Sequence, residues 1–238
     1  VAAWQRRGEI LMWLGRYADA AGCLERVTAA DPEDLVSLRL LGEAYEKAGR
    51  YQDALSVYTA LLEREPACIE TLYARASALV HLGRYGEAVR SIDRIIAIQE
   101  ENPAALFMRG AVLERVGRYD EALATYEKAL EIDQENAAVW MVAGILMDAV
   151  GRHNDAVRAF DRALDLGGVG VHAWLCRGIA LDHLGKPDQA IACYDKVLEA
   201  DPHQARAWYL KGRALDRLGR FADAVVCFNS ALENEHDA

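Results

Sequence analysis

A three-residue signal recurs along the whole chain at a fixed step of 34 residues. It reads Gly15-Arg16-Tyr17, Gly49-Arg50-Tyr51, Gly83-Arg84-Tyr85, Gly117-Arg118-Tyr119, Gly151-Arg152-His153, Gly185-Lys186-Pro187 and Gly219-Arg220-Phe221. The 238 residues hold seven such steps with none left over. A period of this length dictates a repeat array rather than one or two globular domains, because each unit can bury its apolar face only against its neighbours. One array of seven units is expected, bounded 1–34, 35–68, 69–102, 103–136, 137–170, 171–204 and 205–238.

Each unit predicts two helices. In the second repeat apolar residues follow helical spacing at Leu38, Leu41, Ala44, Tyr45 and Ala48, and again at Ala54, Leu55, Tyr58, Leu61 and Leu62. The repeated glycine ends the first helix, where a left-handed residue is needed. The Arg or Lys after it suits the negative end of that helix. The prolines fall at helix boundaries: Pro32, Pro66 and Pro202 after second helices, Pro103 and Pro187 in first turns. A small residue recurs at Gly8, Gly42, Ala76, Gly110, Gly144, Gly178 and Gly212, and Ala at Ala20, Ala54, Ala88, Ala122, Ala156, Ala190 and Ala224. Small residues at facing positions let the two helices approach closely, with Tyr58, Tyr126, Phe160, Tyr194 and Phe228 filling the space beside them.

Trp140, Trp174 and Trp208, each four residues before a glycine, and Ala156 and Ala224, each four before a phenylalanine, complete a recognisable pattern. The set resembles the tetratricopeptide repeat family over the whole chain. That resemblance implies an all-α, right-handed solenoid superhelix of seven helix-turn-helix repeats, with the first helices lining a concave groove. Two site motifs of the family are absent. The dicarboxylate clamp needs Lys and Asn at the fifth and ninth positions of one repeat, where this chain has pairs such as Arg39/Glu43 and Tyr73/Ser77. The asparagine ladder needs Asn at the sixth position, occupied here by Arg6, Leu40, Ala74, Met108, Val142, Cys176 and Leu210.

Two departures from the pattern stand out. Arg7, Arg75, Arg109, Arg177 and Lys211 replace a leucine inside the apolar arc, and a charge there must snorkel or meet a carboxylate. Second-helix acids Glu25, Asp93, Glu127, Asp161 and Asp195 are the natural partners, making an internal staple; the rival reading is a ligand-binding arginine ladder. Leu41 and Thr59 suggest that the two positions vary together. The link Leu166-Gly167-Gly168-Val169-Gly170 replaces the Asp-Pro closure, and its glycines suit either a hinge or a degenerate turn.

The net charge of −10 argues against nucleic acid and anionic membranes as partners, and the longest apolar run, Val139 to Met147, is too short for insertion. Five scattered cysteines with no Cys-x-x-Cys pair read as reduced thiols in a cytoplasm. No nucleophile elbow, phosphate loop, dinucleotide fingerprint or His-Glu-x-x-His is present, so neither an enzyme nor a cofactor is expected. His172 and His183 lie about 16 Å apart along one helix, too far to chelate one ion, and no metal site is expected.

The groove remains. Tyr73, Phe107, Met141, Leu175 and Tyr209 share one repeat position, with Met108 and Val142 beside them, and are expected to form an apolar track for a peptide or partner helix. An acidic row of Glu46, Glu114, Asp148, Asp182 and Asp216 borders it and suits a basic flank on the partner. Arg206, Arg213 and Arg217 share the face in the last repeat, either as an anion cluster or neutralised by Asp182 and Asp216. Ala3, Ile10 and Leu14 at one end, and Val225, Phe228 and Leu232 at the other, are apolar where a capping repeat is polar. Those ends suggest a window from a longer array or self-association. An interaction scaffold is therefore the leading expectation, with a regulatory segment of a larger enzyme and a self-assembling scaffold as alternatives.

Overall fold

The computed structural model describes residues 1–167 and 170–235, and Gly168 and Val169 of the glycine-rich link lie outside the described residues. The chain divides into two compact units, Val1–Ala122 and Leu123–Ala238. The first holds α1 (Ala2–Trp13), α2 (Tyr17–Ala30), α3 (Leu35–Lys47), α4 (Tyr51–Arg64), α5 (Ile69–His81), α6 (Tyr85–Ile98) and α7 (Pro103–Arg115). The division falls within α8 (Tyr119–Ile132). The second unit continues with α9 (Ala137–Ala149), α10 (His153–Leu166), α11 (Gly170–His183), α12 (Pro187–Ala200), α13 (Ala205–Arg217) and α14 (Phe221–Glu235). No strand occurs among the described residues, and the fold is all-α, built from helical hairpins.

Local chemistry sets the helix ends. Gly49 takes φ 75° after α3, and the Arg50 amide then reaches back to the Tyr45 carbonyl at 2.8 Å. The same left-handed glycine recurs at all six equivalent positions. The arginine that follows has a different partner from the one its position suggests. Rather than serving the helix it follows, it binds the acid three residues on, in the first turn of the next helix: Arg50 Nε to Asp53 at 2.7 Å, Arg84 Nε to Glu87 at 2.7 Å, Arg220 Nε to Asp223 at 2.9 Å. First helices begin on side-chain caps where the sequence supplies them. Asp34 accepts from the Val36 and Ser37 amides at 3.1 Å, and Asn136 from the Val139 amide at 3.2 Å.

Four hairpins close a glycine against a ring: Gly42 on Tyr58, Gly144 on Phe160, Gly178 on Tyr194 and Gly212 on Phe228. A Cβ at Gly42 would lie 2.5 Å from Tyr58, and one at Gly178 would lie 2.5 Å from the Tyr194 ring. Where the second-helix partner is Ile92, the small residue is Ala76 and both are fully buried. The size of one side chain therefore sets how much the other can carry.

Neighbouring repeats are joined by a second device. Arg109 Nε meets Asp93 at 2.8 Å, Arg177 Nε meets Asp161 at 2.6 Å, and Lys211 Nζ meets Asp195 at 2.6 Å. Each pair links a first helix to the second helix of the preceding repeat, sixteen residues earlier. The staple is thus real for these residues. Arg75 departs from it: its preceding partner position is Thr59, so its guanidinium donates to the Ser91 hydroxyl at 2.6 Å, and burial holds its pKa below the ordinary value. The apparent pairing of Leu41 with Thr59 is corrected by the same offset. Leu41 sits opposite Glu25, and Thr59 opposite Arg75.

Three junctions consequently lack one half of the pair, and open clefts lie over all three. One of about 720 Å³ is lined by Glu127, Trp140, Met147 and Ala159 among others, beside the buried Ala143 of the same helix as Trp140. One of about 450 Å³ is lined by Thr59 and Arg75, and one of about 380 Å³ by Glu25 and Leu41.

Candidate functional site

The side of each first helix turned from its second helix carries the expected site residues, and burial sorts them. In the first unit Tyr73, Phe107 and Met108 are half-buried, and the Tyr73 hydroxyl donates to Asn102 Oδ1 at 3.1 Å. In the second unit Val142 is half-buried and Tyr209 is 50% exposed. Met141 and Leu175 are only 5% and 4% exposed. Leu175 belongs to a core cluster with Tyr194, Ala207 and Leu210. The expected apolar track is therefore interrupted at these two positions, because that register turns toward the neighbouring repeat rather than toward solvent. Ile145 (38% exposed), with half-buried Cys176 and Ile179, extends the accessible surface beyond the residues of that register.

The acidic row is largely consumed inside the protein. Glu46 accepts from the Tyr58 hydroxyl at 2.8 Å and from the Ser77 hydroxyl at 2.7 Å. Asp182 is buried; its Oδ2 accepts from the Tyr194 hydroxyl at 3.2 Å, and Arg217 Nη1 stands 3.5 Å from its Oδ1. Arg217 also donates to the Asp182 carbonyl at 3.1 Å. Arg217 is thereby committed to Asp182, while the Arg213 guanidinium lies over the Tyr209 ring at 5.9 Å. Arg206 is exposed. Arg217 is thus unavailable to an anion cluster with the other two.

All five cysteines are free. Burial pushes the Cys176 thiol up to about 11 and raises Cys193 and Cys227 as well, which disfavours the reactive thiolate.

One cluster escaped the sequence reading. His183 approaches Asp148 and His153, while His172 has Cys176 as its neighbour, Nε2 to Sγ 3.9 Å. His153 Nδ1 lies 2.6 Å from Asp148 Oδ1, His183 Nδ1 lies 3.1 Å from both oxygens of that carboxylate, and the two rings tilt at 48° with centroids 4.9 Å apart. One potential ligand atom from each of the three residues lies within 4.8 Å of the others. The signal was present as a register: His153 and His183 occupy the positions that stack Tyr51 on His81 between the second and third repeats, 4.2 Å apart. Scanning each helix separately for histidine pairs could not find it.

Comparison with known proteins agrees with the hairpin architecture. The tetratricopeptide repeat profile matches residues 6–68, 73–137 and 177–235, and a second profile of the same description matches 115–167. A tetratricopeptide repeat protein from Parabacteroides merdae ATCC 43184 superposes with a TM-score of 0.71 at 21% identity, covering 98% of this chain and 92% of its own. MamA superposes with a TM-score of 0.67 at 19% identity, covering 74% of this chain and 96% of its own. YrrB, described as a tetratricopeptide repeat protein with an unusual peptide-binding site, gives 0.66 at 18% identity, covering 80% and 98%. These likenesses establish the fold alone. No curated protein sequence matches. No described helix is long and apolar enough to cross a membrane.

Proposed function

Because the chain belongs to the tetratricopeptide repeat family, whose members are in general non-enzymatic scaffolds, we propose that it holds a peptide or partner helix on the outward side of its first helices. The observation carrying this reading is the accessible apolar set on α9, α11 and α13: Val142, Ile145, Cys176, Ile179 and Tyr209. An apolar patch kept at the surface of a repeat protein is the usual mark of a partner site. The peptide-binding site described for YrrB supports the same reading. With a net charge of −10, the chain attracts partners with basic flanks, although Asp182 and Glu46 contribute through internal bonds rather than as a free rim.

The test is selection of peptides from a display library on the immobilised chain, followed by titration against Ile145→Asp and Tyr209→Ala. Both variants should weaken binding about tenfold or more while leaving the melting temperature nearly unchanged. Selected peptides that bind both variants as tightly as the parent would move the site to another face.

Self-association is a second reading, favoured by apolar exposure at the first and last repeats. Trp13 and Leu14 are 94% and 63% exposed, as are Val225 (56%) and Leu232 (57%). Phe228 does not belong to this surface; it packs on Gly212, and replacing it would disrupt the last hairpin. Sedimentation of the chain should show concentration-dependent association that Val225→Lys with Leu232→Lys abolishes. A strictly monomeric parent would end this reading.

A further inference from the structure

We infer that Asp148, His153 and His183 form a binding site for a divalent transition-metal ion of the Zn²⁺ type, tying α9, α10 and α11 together. The ligand chemistry is the first argument. Two imidazoles and one carboxylate suit Zn²⁺ and its neighbours, whereas Mg²⁺ and Ca²⁺ prefer sites made of oxygen. Ligand bonds of about 2.0–2.2 Å place neighbouring ligand atoms of a tetrahedral site about 3.3 Å apart. The two carboxylate-to-imidazole separations, 2.6 and 3.1 Å, open to that edge with small side-chain adjustments, and the two imidazole ligand atoms lie within 4.8 Å of each other. His183 is half-exposed and leaves one side of the cluster to solvent, so a water can complete the coordination.

The second argument comes from the repeats themselves. In the second repeat the acid at this position, Glu46, is satisfied by the Tyr58 and Ser77 hydroxyls. In the fifth repeat both partners are gone: Phe160 stands in place of the tyrosine and Ile179 in place of the serine. The tyrosine of the repeated Gly-Arg-Tyr signal has become His153, and the ring beside it from the next repeat is His183. Three of these positions differ from the junction of the second and third repeats, and His183 keeps the histidine found there as His81. The result is a carboxylate without the tyrosine and serine hydroxyls that serve Glu46, faced by two imidazole nitrogens.

The third argument is position. The cluster bridges α10 and α11, the one connection in which three glycines replace the usual closure. A metal ion there adds a crosslink between the two helices that this sequence joins.

The experiment is calorimetric titration of the whole chain, stripped with EDTA, with ZnCl₂ and separately with MgCl₂. One Zn²⁺ per chain is expected, with no saturable Mg²⁺ uptake and a Zn²⁺-dependent rise in melting temperature. His153→Tyr restores the residue that other repeats carry, and should weaken Zn²⁺ binding on the order of 100-fold while keeping the metal-free melting temperature. His183→Ala is the second variant, at a half-exposed position whose loss the fold tolerates, and should act alike. Replacing His172 with Ala and Cys176 with Ser should leave binding intact. Absence of saturable Zn²⁺ uptake by the parent overturns the inference, showing a hydrogen-bonded trio without metal. Uptake that survives His153→Tyr and His183→Ala, or that vanishes with His172→Ala and Cys176→Ser, overturns it as well.

Discussion

The junction above Arg177 and the junction above Ala143 use the same four repeat positions, keep the tryptophan, and differ most in the residue that does or does not carry a cation. Over α11, the Arg177 guanidinium binds Asp161 at 2.6 Å, approaches Cys193 Sγ at 3.0 Å and lies 5.6 Å from the Trp174 ring centre. Over α9, Glu127 stands for Asp161, Trp140 for Trp174 and Ala159 for Cys193, Ala143 supplies no cation, and a cleft of about 720 Å³ remains. Arg152 reaches Glu127 from the rim at 3.3 Å without filling the interior. A repeat protein thus places a strap and its absence one period apart on one backbone. Hairpin packing is common to both junctions, and the strap between hairpins is what differs.

That contrast can be broken first at the common part. Gly178→Ala and Gly144→Ala put a Cβ within 2.5 and 2.7 Å of the Tyr194 and Phe160 rings, and each should destabilise by about 1–3 kcal/mol in urea unfolding. Equal losses at both sites mean that the hairpins are equivalent. A loss at only one would trace the contrast to hairpin packing instead of the strap. Arg177→Ala converts the strapped junction into the open kind. It should cost about 1–2 kcal/mol, combining a partly exposed ion pair with a contact to the tryptophan ring.

The converse change, Ala143→Arg, should fill the cleft and raise stability by about 0.5–1 kcal/mol, read as a higher urea midpoint. A clear loss would show that the junction over α9 has settled into a shape that excludes the side chain. The smallest effect is expected at the rim. Arg152 and Glu127 are both about half-exposed, so the contribution of their mutual contact should be about 0.5 kcal/mol or less and should fade in high salt. A Glu127→Gln titration at low and high NaCl checks this.

Some of the site was open to reading in the sequence, and some was hidden for definable reasons. The position shared by Arg109, Arg177 and Lys211 could be recognised as a buried-charge problem from the helical wheel alone. Of the five expected acids, Asp93, Asp161 and Asp195 pair with this position, whereas Glu25 and Glu127 meet Arg50 and Arg152. Nor does Leu41 face Thr59, because a wheel shows which face a residue occupies and not which neighbour fills the space above it. Met141 and Leu175 illustrate the same limit. They share a wheel position with Tyr209, but the adjoining repeat covers two of the three. The acidic row looked like a solvated border because no local pattern reveals a tyrosine hydroxyl arriving from another helix.

The period, the two helices per unit, the glycine turn and the small residues that face Tyr58, Phe160 and Tyr194 are legible along the chain. All of these follow from interactions within about 34 residues, where spacing and side-chain size decide the outcome. The stacking of repeats sets which half of a charge pair meets which, why clefts open beside Glu127, Thr59 and Leu41, and how His153 and His183 come together across thirty residues. Those contacts join different repeats. Their geometry depends on how one hairpin stacks on the next, and that is set by packing volume rather than by any pattern along the chain.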